Sequence, residues 1–219
     1  MSLLYDDDFI GKTSLTEANS FKKLFENNTN LINANELSLP AITLANDCYM
    51  YMFSGCTNLI SAPALPAITL TDACYMAMFN GCTSLTTAPE LPATTLANQC
   101  YRNMFVGCTS LTTAPKLSAT TLVYGCYSYM FLNCTSLTVA PELPATTLAY
   151  NCYTYMFQGC TNLNYIKAMF TTTPSTTYTS NWVTGVASSG TFVKNAAATW
   201  DVNGVNGIPT GWTVETVNN

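Results

Sequence analysis

Histidine is missing from this chain of 219 residues, and with it the commonest general base and the commonest transition-metal ligand. Catalysis would fall to carboxylates, lysine, tyrosine or cysteine. Charge is scarce too, at 12 acidic and 7 basic residues. Of the bases, Lys12, Lys22, Lys23 and Lys194 lie outside the repeated middle and Lys167 lies at its very end. That leaves no basic stripe for phosphates and argues against nucleic acid as a partner. No apolar run approaches the roughly 18 residues that span a bilayer, so no membrane span is expected. The opening MSLLYDDDF has neither the basic nor the apolar region of a signal peptide. The carboxylates are scattered apart from Asp6–Asp8. The GKT at Gly11–Thr13 resembles the end of a phosphate-binding loop, but Asp6 stands where that motif has its first glycine. The expectation is a non-enzyme with no catalytic residue, no cofactor and no metal.

Repetition fills the space that chemistry leaves. Ten cysteines fall in five pairs, Cys48/Cys56, Cys74/Cys82, Cys100/Cys108, Cys126/Cys134 and Cys152/Cys160, each pair 26 residues after the last. A fixed period of this length is the mark of a stacked array, in which one unit cannot bury its apolar face alone. Leu44, Cys48, Tyr49, Met52 and Phe53 keep their type in every copy, and position 45 stays small. The spacing i, i+1, i+4, i+5, i+8, i+9 predicts a short helix over residues 45–54 with an unvarying buried side and a variable outer side. Gly55, Gly81, Gly107 and Gly159, with Asn133 in the fourth copy, suit its left-handed end. The following CTSLTTAP, with a fixed leucine, predicts a strand of about four residues. It is closed by Pro63, Pro89, Pro115 or Pro141. Equivalent residues are then expected about 5 Å apart in the stack. Lys116, between Glu90 and Glu142 at the equivalent position, is expected to pair with its neighbours.

The expected fold class is thus an α/β repeat, one short strand and one short helix per coil. Its organisation reads as an N-terminal flank (1–19), a degenerate capping repeat (20–44) with Ser20 and Asn28 in place of the cysteines, five 26-residue repeats (45–170), and a small β-rich C-terminal cap (171–219) carrying Trp182, Trp200 and Trp212. For the cysteines three readings stand side by side. Two ladders of small buried thiols are favoured. A disulfide within each repeat would need the glycine turn to shorten a span of about 12 Å along a straight helix. A zinc site lacks both C-x₂-C spacing and histidine.

The unit MFxGCTSL followed by a proline turn resembles the BspA-like leucine-rich repeats of bacterial surface proteins, in the 26-residue branch found in gut bacteria and some of their phages. The segments NWVTGVASSGTFVKN and GIPTGWTV (residues 181–195 and 207–214) resemble the closing segment that often follows such arrays. The resemblance implies a right-handed leucine-rich-repeat solenoid and an extracellular or cell-surface recognition or adhesion role. It brings no catalytic residues.

Two faces are candidates for recognition. The strand side is a Thr carpet (Thr86, Thr87, Thr112, Thr113, Thr138). The helix side is varied, and its candidate binding residues are Tyr51, Arg102, Tyr124, Tyr129, Tyr150 and Tyr155, of the mixture that recognition loops use. The near absence of charge removes long-range steering, so a host or bacterial protein or a neutral glycan is the expected partner. The alternative is a structural role, as a spacer or fibre segment of a surface stalk or phage tail appendage.

Overall fold

A computed structural model of the chain describes residues 12–218. The aspartates Asp6–Asp8 and Gly11 lie outside the described residues. Thr13 lies within them, and its carbonyl accepts from the amides of Ile42 and Thr43 at 2.8 and 3.1 Å.

The expected helix does not form. Among the described residues there is no α-helix, and the segment equivalent to 45–56 is a run of overlapping turns in every coil. In the third copy the amides of Cys100, Arg102, Met104, Val106 and Cys108 each donate to the carbonyl three residues earlier, at 3.1–3.3 Å. The alternate amides leave the coil altogether. Gln99, Tyr101, Asn103, Phe105 and Gly107 donate to the carbonyls of Tyr124, Cys126, Ser128, Met130 and Leu132 in the next coil, at 2.8–3.1 Å. Asn98 completes the run by donating its amide to the Asp72 carboxylate at 3.0 Å. Every amide from Asn98 to Cys108 is therefore satisfied, half along the chain and half across the stack, as buried backbone requires.

This path needs a left-handed residue at every fourth position. Asp47, Tyr51 and Gly55 have φ of 55°, 57° and 74°, and Gln99, Asn103 and Gly107 have 54°, 59° and 68°. A turn whose second central residue has positive φ is of the type II kind, and it alternates here with ordinary turns. The core residues Cys48, Tyr49, Met52 and Phe53 recur every four residues because the turn pair does. An α-helix would rotate such a pattern by about 40° per step.

The expected strand-plus-helix coil is overturned as a whole, since the repeated strand is also lacking. CTSLTTAP forms only isolated parallel bridges, such as Thr87 to Thr113 and Asn33 to Ser61. The three strands among the described residues are β1 (Tyr165–Ala168), β2 (Thr191–Asn195) and β3 (Thr213–Val217), a parallel sheet in that order toward the C-terminal end. Spacing explains the outcome. Helices pack with axes about 8–10 Å apart, whereas equivalent rings in successive coils here lie much closer. Phe21, Tyr49, Tyr75, Tyr101, Tyr127 and Tyr153 form one column with centroids 5.6–6.1 Å apart. Phe25, Phe53, Phe79, Phe105, Phe131 and Phe157 form another at 5.4–5.8 Å. From Tyr49 and Phe53 onward these rings are wholly buried.

Residues 175–186 have left the sequence period, yet their backbone keeps the same path. Phe157 donates to Trp182 O and Gly159 to Thr184 O, both at 2.8 Å, and Asn181 and Gly185 hold positive φ. Trp182 then meets Phe170 and Phe192 edge-on, while Trp200 stacks on Phe170. The three indole N–H groups donate to Gly207, Phe170 and Ala187 carbonyls. Lys116 does not form the expected ion pair with Glu90 or Glu142; among the described residues Glu142 pairs instead with Lys167 of the next coil, at 2.9 Å.

All ten cysteines are buried free thiols. The second of each pair donates S–H to a phenylalanine carbonyl of the preceding coil: Cys56 to Phe25, Cys82 to Phe53, Cys108 to Phe79, Cys134 to Phe105 and Cys160 to Phe131, at 3.0–3.2 Å. Burial pushes Cys74, Cys108, Cys126 and Cys160 from 9.0 up to about 12. The thiolate is the reactive form, so native protein at pH 8 is expected to label with iodoacetamide at none of the ten, and unfolded protein at all ten. Because the unfolded chain gives up these protons near pH 9 and the folded chain holds them to about 12, stability is full below pH 9 and falls as pH rises above it. A chemical-denaturation series from pH 7 to 11 checks that sign. Gln99→Gly supplies a second test. In a helix it would cost about 1 kcal/mol. At a left-handed position it relieves strain, so the expected result is stabilisation by about 0.5–1 kcal/mol.

Candidate functional site

The outward positions of the turn run stack in register, so a site can be read by adding 26. The positions equivalent to 98, 99, 102 and 103 converge across three coils on a cavity of about 100 Å³, lined by Gln99, Arg102, Tyr124, Gly125, Ser128, Tyr129, Asn151 and Thr154. The hollow arises from a local break in the repeat. Gln99 and Asn151 flank Gly125 above and below, so the middle coil lacks the side chain that would fill the gap. Gly125 has φ of 58°, and a Cβ there would lie 3.3 Å from Gln99 Cγ. The small Ser128, between Arg102 and Thr154, extends the same gap.

Tyrosines bound the hollow on two sides. Tyr124 and Tyr150 stack with centroids 5.7 Å apart, and they are 42% and 59% exposed. Tyr129 and Tyr155 stack at 4.8 Å. Tyr129 and Tyr155 also hold left-handed backbone, φ 59° and 56°, an outlier for a bulky residue. The guanidinium of Arg102 lies 5.6 Å from the Tyr129 ring centroid. Asn181 donates its amide to the Tyr155 hydroxyl at 3.3 Å. Ser128 Oγ donates to Asn151 O, and Thr154 Oγ1 to Asn151 Oδ1. Five of the six candidates from the sequence, Arg102, Tyr124, Tyr129, Tyr150 and Tyr155, thus gather at one place. Tyr51 does not: it stands three coils away, beneath the ammonium of Lys23 at 5.4 Å.

Gln99, Gly125, Ser128, Asn151 and Thr154 were not singled out by the sequence. Their signal was the register itself, since each is equivalent to a neighbour in the adjoining copies. The Thr carpet offers less. Thr86, Thr87, Thr112, Thr113 and Thr138 are exposed, but Thr112 Oγ1 donates within the stack, to Thr86 O at 3.2 Å. A larger cavity of about 200 Å³ at the C-terminal end is lined by small and apolar residues, among them Val183, Val186, Val205 and Pro209. No charged side chain lines it. Among the described residues no helix is long and apolar enough to cross a membrane. Comparison of the chain with protein-family models, with curated proteins and with solved structures finds no match.

Proposed function

We propose that the protein is a non-catalytic recognition or adhesion module that acts outside the cell and binds a glycan or a protein through the outer face of its turns. The observation that carries this reading is the hollow at Gly125, where the repeat departs from itself and tyrosine pairs flank a set of polar groups. Exposed stacked tyrosines give contact area at low entropic cost, and Gln99, Asn151 and Thr154 supply neutral hydrogen-bonding groups of the kind that match hydroxyls. A cavity of this size lies below the roughly 300–1,000 Å³ of a site that engulfs a small molecule. The ligand therefore enters with one edge and lies along the surface, as part of a longer chain would. The resemblance of the MFxGCTSL copies to bacterial surface repeats supports the extracellular placement.

The uniform ring columns favour a second reading, a spacer whose selected property is length. The two separate on a glycan array and a panel of surface proteins. Tyr129→Ala with Tyr155→Ala is expected to reduce binding at least about tenfold, as removal of aromatic anchors does, whereas Thr112→Ala with Thr138→Ala leaves it unchanged. Binding that survives the tyrosine pair ends the turn-face reading, and no binding by the parent protein leaves the spacer.

A further inference from the structure

We infer that the ligand edge entering the hollow carries a carboxylate, and that the ligand class is an acidic sugar, a uronic or sialic acid residue at a glycan terminus. The inference rests on the reading of the same cleft as a recognition site. Arg102 is its source. The Nε of Arg102 is buried and has no hydrogen-bond partner, and no carboxylate among the described residues reaches its guanidinium within 4.0 Å. No acidic side chain lines the cavity. A buried donor left unpaired costs about 1–3 kcal/mol, and a guanidinium fork is matched best by a planar two-oxygen acceptor.

The rest of the lining selects among carboxylates. A peptide would bring apolar side chains that need apolar pockets, and besides the tyrosine rings the cavity offers only polar or small groups. A sugar brings an apolar ring face and several hydroxyls. Tyr124 and Tyr150 present a stacked pair for the former, and Gln99, Asn151 and Thr154 stand within the same hollow for the latter. The net charge of −5 gives an anion no long-range attraction, so recognition is by contact and depends on this one arginine.

Isothermal titration calorimetry with glucuronate- or sialate-terminated oligosaccharides and their neutral counterparts tests the inference at physiological salt. The acidic glycan is expected to bind at least about tenfold more tightly, as a charge-assisted hydrogen bond implies. Arg102→Gln is expected to bring the acidic and neutral affinities together, and Arg102→Lys to restore the preference in part. Gly125→Asn, which copies the residue Asn151 on the equivalent backbone, fills the hollow and is expected to weaken both ligands. Equal affinity for acidic and neutral glycans, a preference that persists in Arg102→Gln, or competition only by peptide carboxylates would overturn the inference and leave the cleft a recognition site. Failure of every glycan and peptide to bind would end both.

Discussion

The distance between coils governs this molecule. Backbone hydrogen bonds that run from one coil to the next, as from Phe105 to Met130 O, fix that distance, and every other feature must fit within it. Equivalent rings are thereby held 5.4–6.1 Å apart, close enough for offset stacking, each pair contributing about 0.5–1.5 kcal/mol beyond its buried area. The core is a set of parallel files, among them tyrosine, phenylalanine, methionine, leucine and two of cysteine. The second cysteine of each pair suits its place because it is small and its S–H reaches a carbonyl of the coil before.

The same constraint explains the composition. A file of identical side chains at this spacing cannot be charged, because like charges in register repel. The charges that exist cluster toward the ends, where Lys22, Lys23 and Glu26 meet water on the first coil and the sheet β1–β2–β3 closes the last. There the columns end on Trp182, whose larger ring covers both the Tyr153 and the Phe157 file. Its N–H donates to the carbonyl of Gly207.

The period, the buried positions and the stacking were legible in the sequence, because apolar identity is repeated wherever it touches its own copy. The secondary structure was not. A four-residue recurrence over Leu44, Cys48 and Met52 lies close to the helical 3.6, and only its extension to Cys56 separates the two. The clearer sign was the left-handed positions: Asn19, Asn27, Asp47, Gly55, Gly125, Asn133 and Asn151 are residue types that tolerate positive φ, spaced by multiples of four within each run. Gln99, Tyr129 and Tyr155 masked that sign by occupying the same positions against preference. The cleft was half legible. Its tyrosines and arginine stood out as unusual surface residues, whereas Gly125 and Ser128 make the site by what they lack, and an absence is visible only once neighbouring coils are laid over one another.

The turn-face hollow follows from the fold without any separate scaffold. Because each outward position is copied every 26 residues, substituting one small residue in one coil opens a hollow whose walls are already in place. The claim beneath all of this is that alternate amides bond across coils and not along a helix. Scalar couplings through hydrogen bonds, measured by NMR on deuterated protein, test it directly. The account predicts a coupling from the Phe105 amide to the Met130 carbonyl; a coupling from Phe105 to the Tyr101 carbonyl would show a helix and contradict it.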